Sequence, residues 1–169
     1  MKNVTKLSVF DFDGTLVNTP LPEQGREVYK AKTGKEWPHK GWWGREESMD
    51  MNIFDIKPNR SVVKDYKKQR NDIHTATIML TGRMEKLGNK VKEILDANNL
   101  KFDGYFFNKG GSTDVEKLKT LDNILAQNPN ITYVEMWDDR LTHIPIFQEW
   151  GDKKMEEGRL KDFKINVVY

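Results

Sequence analysis

No cysteine occurs anywhere in the 169 residues. Its absence excludes a disulfide framework, a thiolate zinc site and a cysteine nucleophile, and it fits a reducing compartment. Long hydrophobic runs are missing too. The opening Met1-Lys2-Asn3-Val4-Thr5-Lys6 leads only into the short apolar stretch Leu7 to Phe10, too brief for a signal-peptide core or a membrane span. The expectation is a cytoplasmic protein with no membrane partner. Charge of one sign is scarce in the balance: 28 basic against 26 acidic residues leave a net +2, so any basic surface for a polyanion has to be local. Internal repeats and low-complexity tracts are absent. At this length, with 37% hydrophobic residues, one ordinary core is affordable but two are not, and a single domain over residues 1–169 is expected.

What is present alternates. Leu7 to Phe10 ends in acidic and glycine residues, as a strand buried on both faces of a parallel sheet does. Ala76 to Leu80 reads as a second strand stopping at Thr81-Gly82-Arg83, and Leu87, Val91, Ile94 and Leu95 follow at helical spacing. Tyr105-Phe106-Phe107 is a third strand. Ser112 then offers a helix cap before Val115, Leu118, Leu121, Ile124 and Leu125. A fourth strand, Ile131 to Trp137, ends at Asp138-Asp139-Arg140. A short helix starts near His143 because Pro145 is tolerated only in a first turn, and Asn166 to Tyr169 reads as an edge strand. This alternation predicts an α/β three-layer sandwich around a parallel sheet. Residues 18–72 break the pattern and read as an inserted cap or lid. They hold an amphipathic stretch (Glu27 to Lys32), the run Trp37-Pro38-His39-Lys40-Gly41-Trp42-Trp43-Gly44-Arg45, and a basic helix from Ser61 to Arg70.

The polar residues of interest stand where strands end: Asp11 and Asp13 after the first, Thr81 after the second, Asp138 and Asp139 after the fourth. Parallel strands converge on one rim, which gathers these side chains around one ligand. Lys117, early in the helix before the fourth strand, reaches the same rim, although Lys109 and Lys119 compete for that place. The set suits phosphoryl transfer through a covalent intermediate. Asp11 is a carboxylate able to attack phosphorus, and Asp13, two residues on, points to the same side and can handle the leaving group's proton. Crowded carboxylates call for a hard divalent cation, and Mg2+ suits oxygen ligands. Thr81 offers a hydroxyl, Gly82 an amide at a helix start, and Lys117 a charge for the transferring group.

The order Asp11-Phe12-Asp13-Gly14-Thr15, Leu80-Thr81-Gly82-Arg83, Lys117 and Asp138-Asp139-Arg140 resembles the four motifs of the haloacid dehalogenase (HAD) superfamily of phosphatases. Two further strings, Thr113-x-x-x-Lys117-x-x-x-Leu121-x-x-Ile124 and Asp139-Arg140-x-x-His143-x-x-x-Phe147, are similar to the RNA-repair-like Swiss Army Knife branch. The Thr-Gly-Arg and Asp-Asp-Arg strings also resemble the phosphatase domains of bacteriophage polynucleotide kinase-phosphatases, which are polynucleotide 3'-phosphatases. The resemblance implies a HAD-like Rossmannoid fold and a phosphoric monoester hydrolase working through an aspartyl phosphate. It implies Asp11 as nucleophile and metal ligand, Asp13 as general acid/base that also binds metal through its carbonyl, Thr81 as phosphate binder, Lys117 as charge stabiliser, and Asp138 with Asp139 as metal anchors. The substrate class that follows is a phosphorylated small molecule such as a nucleotide, or a nucleic-acid end, with no obligate protein partner.

Other readings compete at several positions. Arg83 and Arg140 either bind substrate phosphate or pair with site carboxylates. Trp37, Trp42 and Trp43 either form a small core within the insertion or stack on a base while Arg45 holds the backbone. His143 reads as a structural histidine at a helix start. At the level of the whole chain, a phosphotransferase or mutase would use the same intermediate, and a non-catalytic phosphate-binding module would keep the same fold. A phospho-receiver domain gathers similar residues, but it places its acidic pair first, and here that pair comes last.

Overall fold

Strand β1 (Lys6–Phe10) carries Leu7, Val9 and Phe10, all buried, so both of its faces must be covered. It lies at the centre of a five-stranded sheet described by a computed structural model covering residues 3–169; Met1 and Lys2 lie outside the described residues. The other strands are β2 (Thr75–Met84), β3 (Gly104–Asn108), β4 (Tyr133–Asp138) and β5 (Asp162–Val167). Their order is β3-β2-β1-β4-β5, every neighbouring pair is parallel, and β5 is an edge strand. This is the expected α/β sandwich. The direction of winding reverses between β1 and β4, the position at which such sheets open a crevice outside their carboxyl ends.

Helices cover both faces. On one, α2 (Arg60–Asn71) and α3 (Gly88–Ala97) bury Val62, Tyr66, Val91, Ile94 and Leu95 against Phe10, Met79 and Trp137. Phe10 and Trp137 stack with ring centroids 4.3 Å apart and planes 10° from parallel. On the other, α4 (Thr113–Gln127) and α5 (Ile144–Glu156) bury Leu121, Ile124, Phe147 and Trp150 against Leu7, Val9, Ile78 and Val134. Pro145 sits in the first turn of α5, as its missing N–H requires. Ser112 stands at the N-cap of α4 but contributes no side-chain capping bond.

Several boundaries differ from the sequence expectation. β2 does not stop at Leu80. A register shift between Leu80 and Met84 carries it through Thr81, Gly82 and Arg83 until Met84 pairs with Asn108. β5 starts at Asp162, because its pairing with β4 already begins at Tyr133. The basic helix, α2, lies on the sheet as the crossover from β1 to β2, with Tyr66 edge-on to Phe10 and Asp65 accepting the Trp137 indole N–H at 3.0 Å.

The stretch between β1 and α2 holds α1 (Pro22–Thr33), a single 3-10 turn at Glu46–Met49 and irregular chain. Its apolar residues Trp37, Trp42, Met49, Phe54 and Ile56 are continuous with the core under α2 and α3. The Trp42 indole N–H donates to the Pro20 carbonyl at 3.1 Å, and that of Trp37 to Gly41 at 2.9 Å. α1 itself buries only Gly25, which has no Cβ because the Trp42 ring occupies that space.

Candidate active site

The loop after β1 is wound tightly by its own sequence. Phe12 points into the core, Gly14 takes a left-handed φ of 71° and bonds the Val17 carbonyl at 2.8 Å, and Leu16 N–H returns to Phe12. A Cβ at Gly14 would also collide with the Asp139 carboxylate, so both backbone and space require glycine there. The turn leaves Asp11 and Asp13 on one side, at the carboxyl end of the sheet.

Asp11 is nearly enclosed. Its Oδ1 accepts from Lys117 Nζ at 2.9 Å and its Oδ2 from the Thr15 hydroxyl at 3.0 Å. Lys117 is buried and also donates to Asp138 Oδ2 at 2.9 Å, while the Asp138 Oδ1 accepts the Arg140 backbone N–H at 3.0 Å. Lys109 and Lys119 are exposed, and Lys119 pairs with Glu116 at 3.5 Å. Of the three lysines, Lys117 is the one bonded to the carboxylates. Asp139 completes the group: one oxygen each from Asp11, Asp138 and Asp139 lie within 4.8 Å of one another.

Three carboxylates around one ammonium leave an excess of negative charge. Burial, and then the neighbouring Asp138, push the Asp11 carboxyl well above its ordinary range despite Lys117. Burial and Asp138 also raise Asp139, against a hydrogen bond with Asp11. For Lys117 burial works against the charge, yet Asp11 and Asp138 outweigh it and hold the ammonium far above its usual value. Like charges held this close would be relieved by a cation, and the donors are all hard oxygens. The residues present fit Mg2+.

Asp13 has different company. Arg83, fully buried near the end of β2, grips it through Nε and NH2, and the Thr19 hydroxyl donates to its Oδ1 at 2.6 Å. The remaining face of the guanidinium donates to the Trp43 carbonyl at 2.8 Å and the Ser48 hydroxyl at 2.7 Å. Of the two roles open to Arg83 in the sequence, pairing with a site carboxylate is the one observed.

These groups line one cavity of about 610 Å³, with Gly82, Thr113, Arg140, His143, Leu21 and Trp43 completing its wall. Not every residue singled out in the sequence reaches it. Trp42 is 3% exposed and packs inside the insertion, so it has no face left for a base; the adjacent Trp43, 41% exposed, lines the cavity. Arg45 is exposed but stands outside the wall. Thr81 lies behind it, buried, with its Oγ1 accepting the Arg83 N–H at 3.1 Å. Gly82 lines the cavity from within β2. No helix starts there, so it offers no helix-end dipole; α3 begins only at Gly88 because the strand is prolonged by its register shift. Thr113 and His143 are wall residues that sequence reasoning left aside, although each stood in a motif string and at a helix start.

Residues 25–169 match the family described as HAD domain family 1 in Swiss Army Knife RNA repair proteins. The chain belongs to this family. The match covers Lys117, Asp138, Asp139 and the wall from Trp43 to His143, and it begins after Asp11 and Asp13. Among curated proteins, this Swiss Army Knife HAD domain is 26% identical over 170 residues to the uncharacterized protein YMR265C of Saccharomyces cerevisiae, covering 87% of the chain but 37% of that protein. The chain thus spans little more than a third of its yeast relative. Solved structures of other proteins share the fold. A chain in the Pnkp1/Rnl/Hen1 complex has a TM-score of 0.61 at 16% identity, with 99% of this chain and 46% of that one covered. The HAD domain of effector protein Lem4 from Legionella pneumophila gives 0.53 at 14%, covering 97% and 86%. The haloacid dehalogenase-like hydrolase SP0104 from Streptococcus pneumoniae gives 0.53 at 12%, covering 97% and 95%. Among the described residues of the Swiss Army Knife HAD domain, no helix is long and apolar enough to cross a membrane.

Proposed function

We propose that the chain hydrolyses phosphate monoesters, on nucleotides or nucleic-acid ends, with Asp11 as the covalent nucleophile. The observation that carries the reading is the placement of Asp11 at the foot of the cavity, tied to Lys117 at 2.9 Å and grouped with Asp138 and Asp139. In the first half-reaction an Asp11 carboxylate oxygen bonds to phosphorus, the phosphorus–oxygen ester bond breaks, and Asp13 delivers a proton to the leaving oxygen. In the second, Asp13 takes a proton from water, the water oxygen bonds to phosphorus, and Asp11 is released with inorganic phosphate. Arg83 and Thr19 hold Asp13 in one orientation for both transfers. Lys117 neutralises charge as it develops on the transferring group. Mg2+ held by Asp11, Asp138 and Asp139, with the Asp13 carbonyl, would supply electrostatic stabilisation of the phosphoryl oxygens.

Thr81, on this reading, supports the site through the Arg83 backbone. The segment before α2 serves as a cap whose Trp43 and Leu21 close one side of the cavity. Phosphate release from an aryl phosphate, measured with magnesium and compared with Asp11→Asn, tests the reading. Loss of about a thousandfold or more is expected for a removed nucleophile, and equal rates would eliminate Asp11 from that role.

A further inference from the structure

His143 is the least explained group in the cavity wall. It stands at the N-cap of α5, is 8% exposed, and packs edge-on against Phe147 with centroids 5.7 Å apart. Its Nδ1 is buried with no hydrogen-bond partner among the described residues. A neutral imidazole carries one N–H and one bare nitrogen, and a buried N–H without an acceptor is the costlier orphan. The proton therefore belongs on Nε2, the ring nitrogen not closed off, and the ring offers a donor to the cavity that it lines. Beside it, Arg140 is exposed and lines the same wall. Its guanidinium makes no ion pair or side-chain hydrogen bond among the described residues.

The other cations of the cavity are committed. Lys117 is shared between Asp11 and Asp138, and Arg83 is taken up by Asp13, Trp43 and Ser48. Donors not taken up by the carboxylates thus stand in the same cavity wall, and Thr113 lines it with them from the first turn of α4. A single phosphate fills only a small part of about 610 Å³; that volume is of the size that takes a whole nucleotide-sized ligand.

We propose that His143 and Arg140 form a second anion subsite, which binds a further phosphoryl group of the substrate beside the one that is cleaved. The subsite rests on the hydrolase reading of Asp11 and narrows it to substrates carrying two phosphoryl groups. Arg140 supplies the charge and His143 Nε2–H a neutral donor of fixed direction. The second group is either the adjoining phosphodiester of an oligonucleotide or the terminal phosphate of a bisphosphate.

The test compares a nucleoside 3'-monophosphate with a nucleoside 3',5'-bisphosphate and a dinucleotide 3'-phosphate, at constant ionic strength with magnesium. Values of kcat/KM about tenfold higher for a substrate with a second phosphoryl group are expected, from one or two added hydrogen bonds to charge. A gain for the dinucleotide alone identifies the oligonucleotide backbone as the source, and a gain for the bisphosphate alone a small metabolite. His143→Ala and Arg140→Gln should each lower that preference about tenfold, while His143→Gln, which restores an N–H donor, should retain most of it. A preference near one in the unaltered protein, or one that survives both His143→Ala and Arg140→Gln, overturns the subsite. The same three ligands are titrated against Asp11→Asn, which needs no turnover. A preference in binding without phosphate release in the unaltered protein sinks the hydrolase reading and leaves the subsite standing; turnover with no preference sinks the subsite alone.

Discussion

Arg83 holds Asp13 by two parallel hydrogen bonds, Nε to Oδ2 at 2.9 Å and NH2 to Oδ1 at 2.7 Å, and with its remaining arm it holds the Trp43 carbonyl and the Ser48 hydroxyl. One buried guanidinium thereby joins the end of β2, the loop after β1 and the inserted segment. The two-point geometry depends on a planar fork of donors, which lysine lacks.

Arg83→Lys should accordingly behave almost as badly as Arg83→Gln. Either loses the two-point grip on Asp13 and leaves the Thr19 hydroxyl as its remaining side-chain donor, costing about 2–3 kcal/mol in stability. Chemical denaturation measures that loss, and phosphate release should fall by about a hundredfold or more as Asp13 loses its orientation. A lysine variant with unaltered activity would show that the fork is dispensable.

The role assigned to Asp13 makes the leaving group informative. Protonation matters most when the departing oxygen is basic, so Asp13→Asn should slow alkyl phosphates far more than an aryl phosphate with an acidic phenol. Equal slowing of both would point to a purely structural aspartate.

Repulsion among Asp11, Asp138 and Asp139 should make thermal stability depend on divalent cations. Magnesium is expected to raise Tm and chelation to reverse the rise, corresponding to about 2.7 kcal/mol at a hundredfold excess over Kd. Asp139→Asn should blunt the response. Lys117→Met, which removes the ammonium bonded to both Asp11 and Asp138, should lower Tm in chelator and regain more on adding magnesium than the unaltered protein does. Melting curves with no magnesium effect would contradict the metal assignment.

The neighbouring tryptophans should separate cleanly. Trp42→Ala empties a packed site between α1 and Phe54 and is expected to cost about 3–5 kcal/mol. Trp43→Ala removes an exposed ring from the cavity wall and should chiefly weaken substrate binding, seen as a raised KM with a smaller change in melting temperature. The reverse pattern would place the ligand elsewhere.

Glu135 should contribute a pH dependence distinct from the active site. Burial alone would raise its carboxyl, but hydrogen bonds from Lys6 at 2.7 Å and Asn166 at 2.8 Å outweigh burial and hold it below the ordinary value. A folded pKa below the unfolded one gives stability that is fully present above the ordinary glutamate range and is lost as pH falls through the folded value. Denaturation of Glu135→Gln and the unaltered protein, compared at neutral pH and near pH 3, should show a gap that shrinks with acid. A gap that widens would reverse the assignment.

Much of the fold was legible because it rests on local patterning. Leu7 to Phe10 and Ile131 to Trp137 are short and mostly apolar, as a strand covered on both faces is. Thr81-Gly82-Arg83 misled because its composition favours a turn, while pairing of Met84 with Asn108 across the register shift keeps it in β2. The basic character of α2 hid Val62 and Tyr66, the two residues that dock it on the sheet.

By itself the sequence determined which chemistry was available: no thiols, carboxylates at strand ends in a set order, and a parallel sheet to collect them on one rim. Residue type and spacing suffice for that, since strand ends converge whatever the loops do. Only the tertiary structure decided which equivalent side chains stand together at the cavity. Lys117, and not Lys109 or Lys119, is the lysine buried against Asp11 and Asp138, and Trp43, not the buried Trp42, faces the cavity. Arg83 reaches Asp13, 70 positions away in sequence, because the chain between them folds back to bury its guanidinium. Partnerships of that kind are set by long-range packing, which local sequence does not encode.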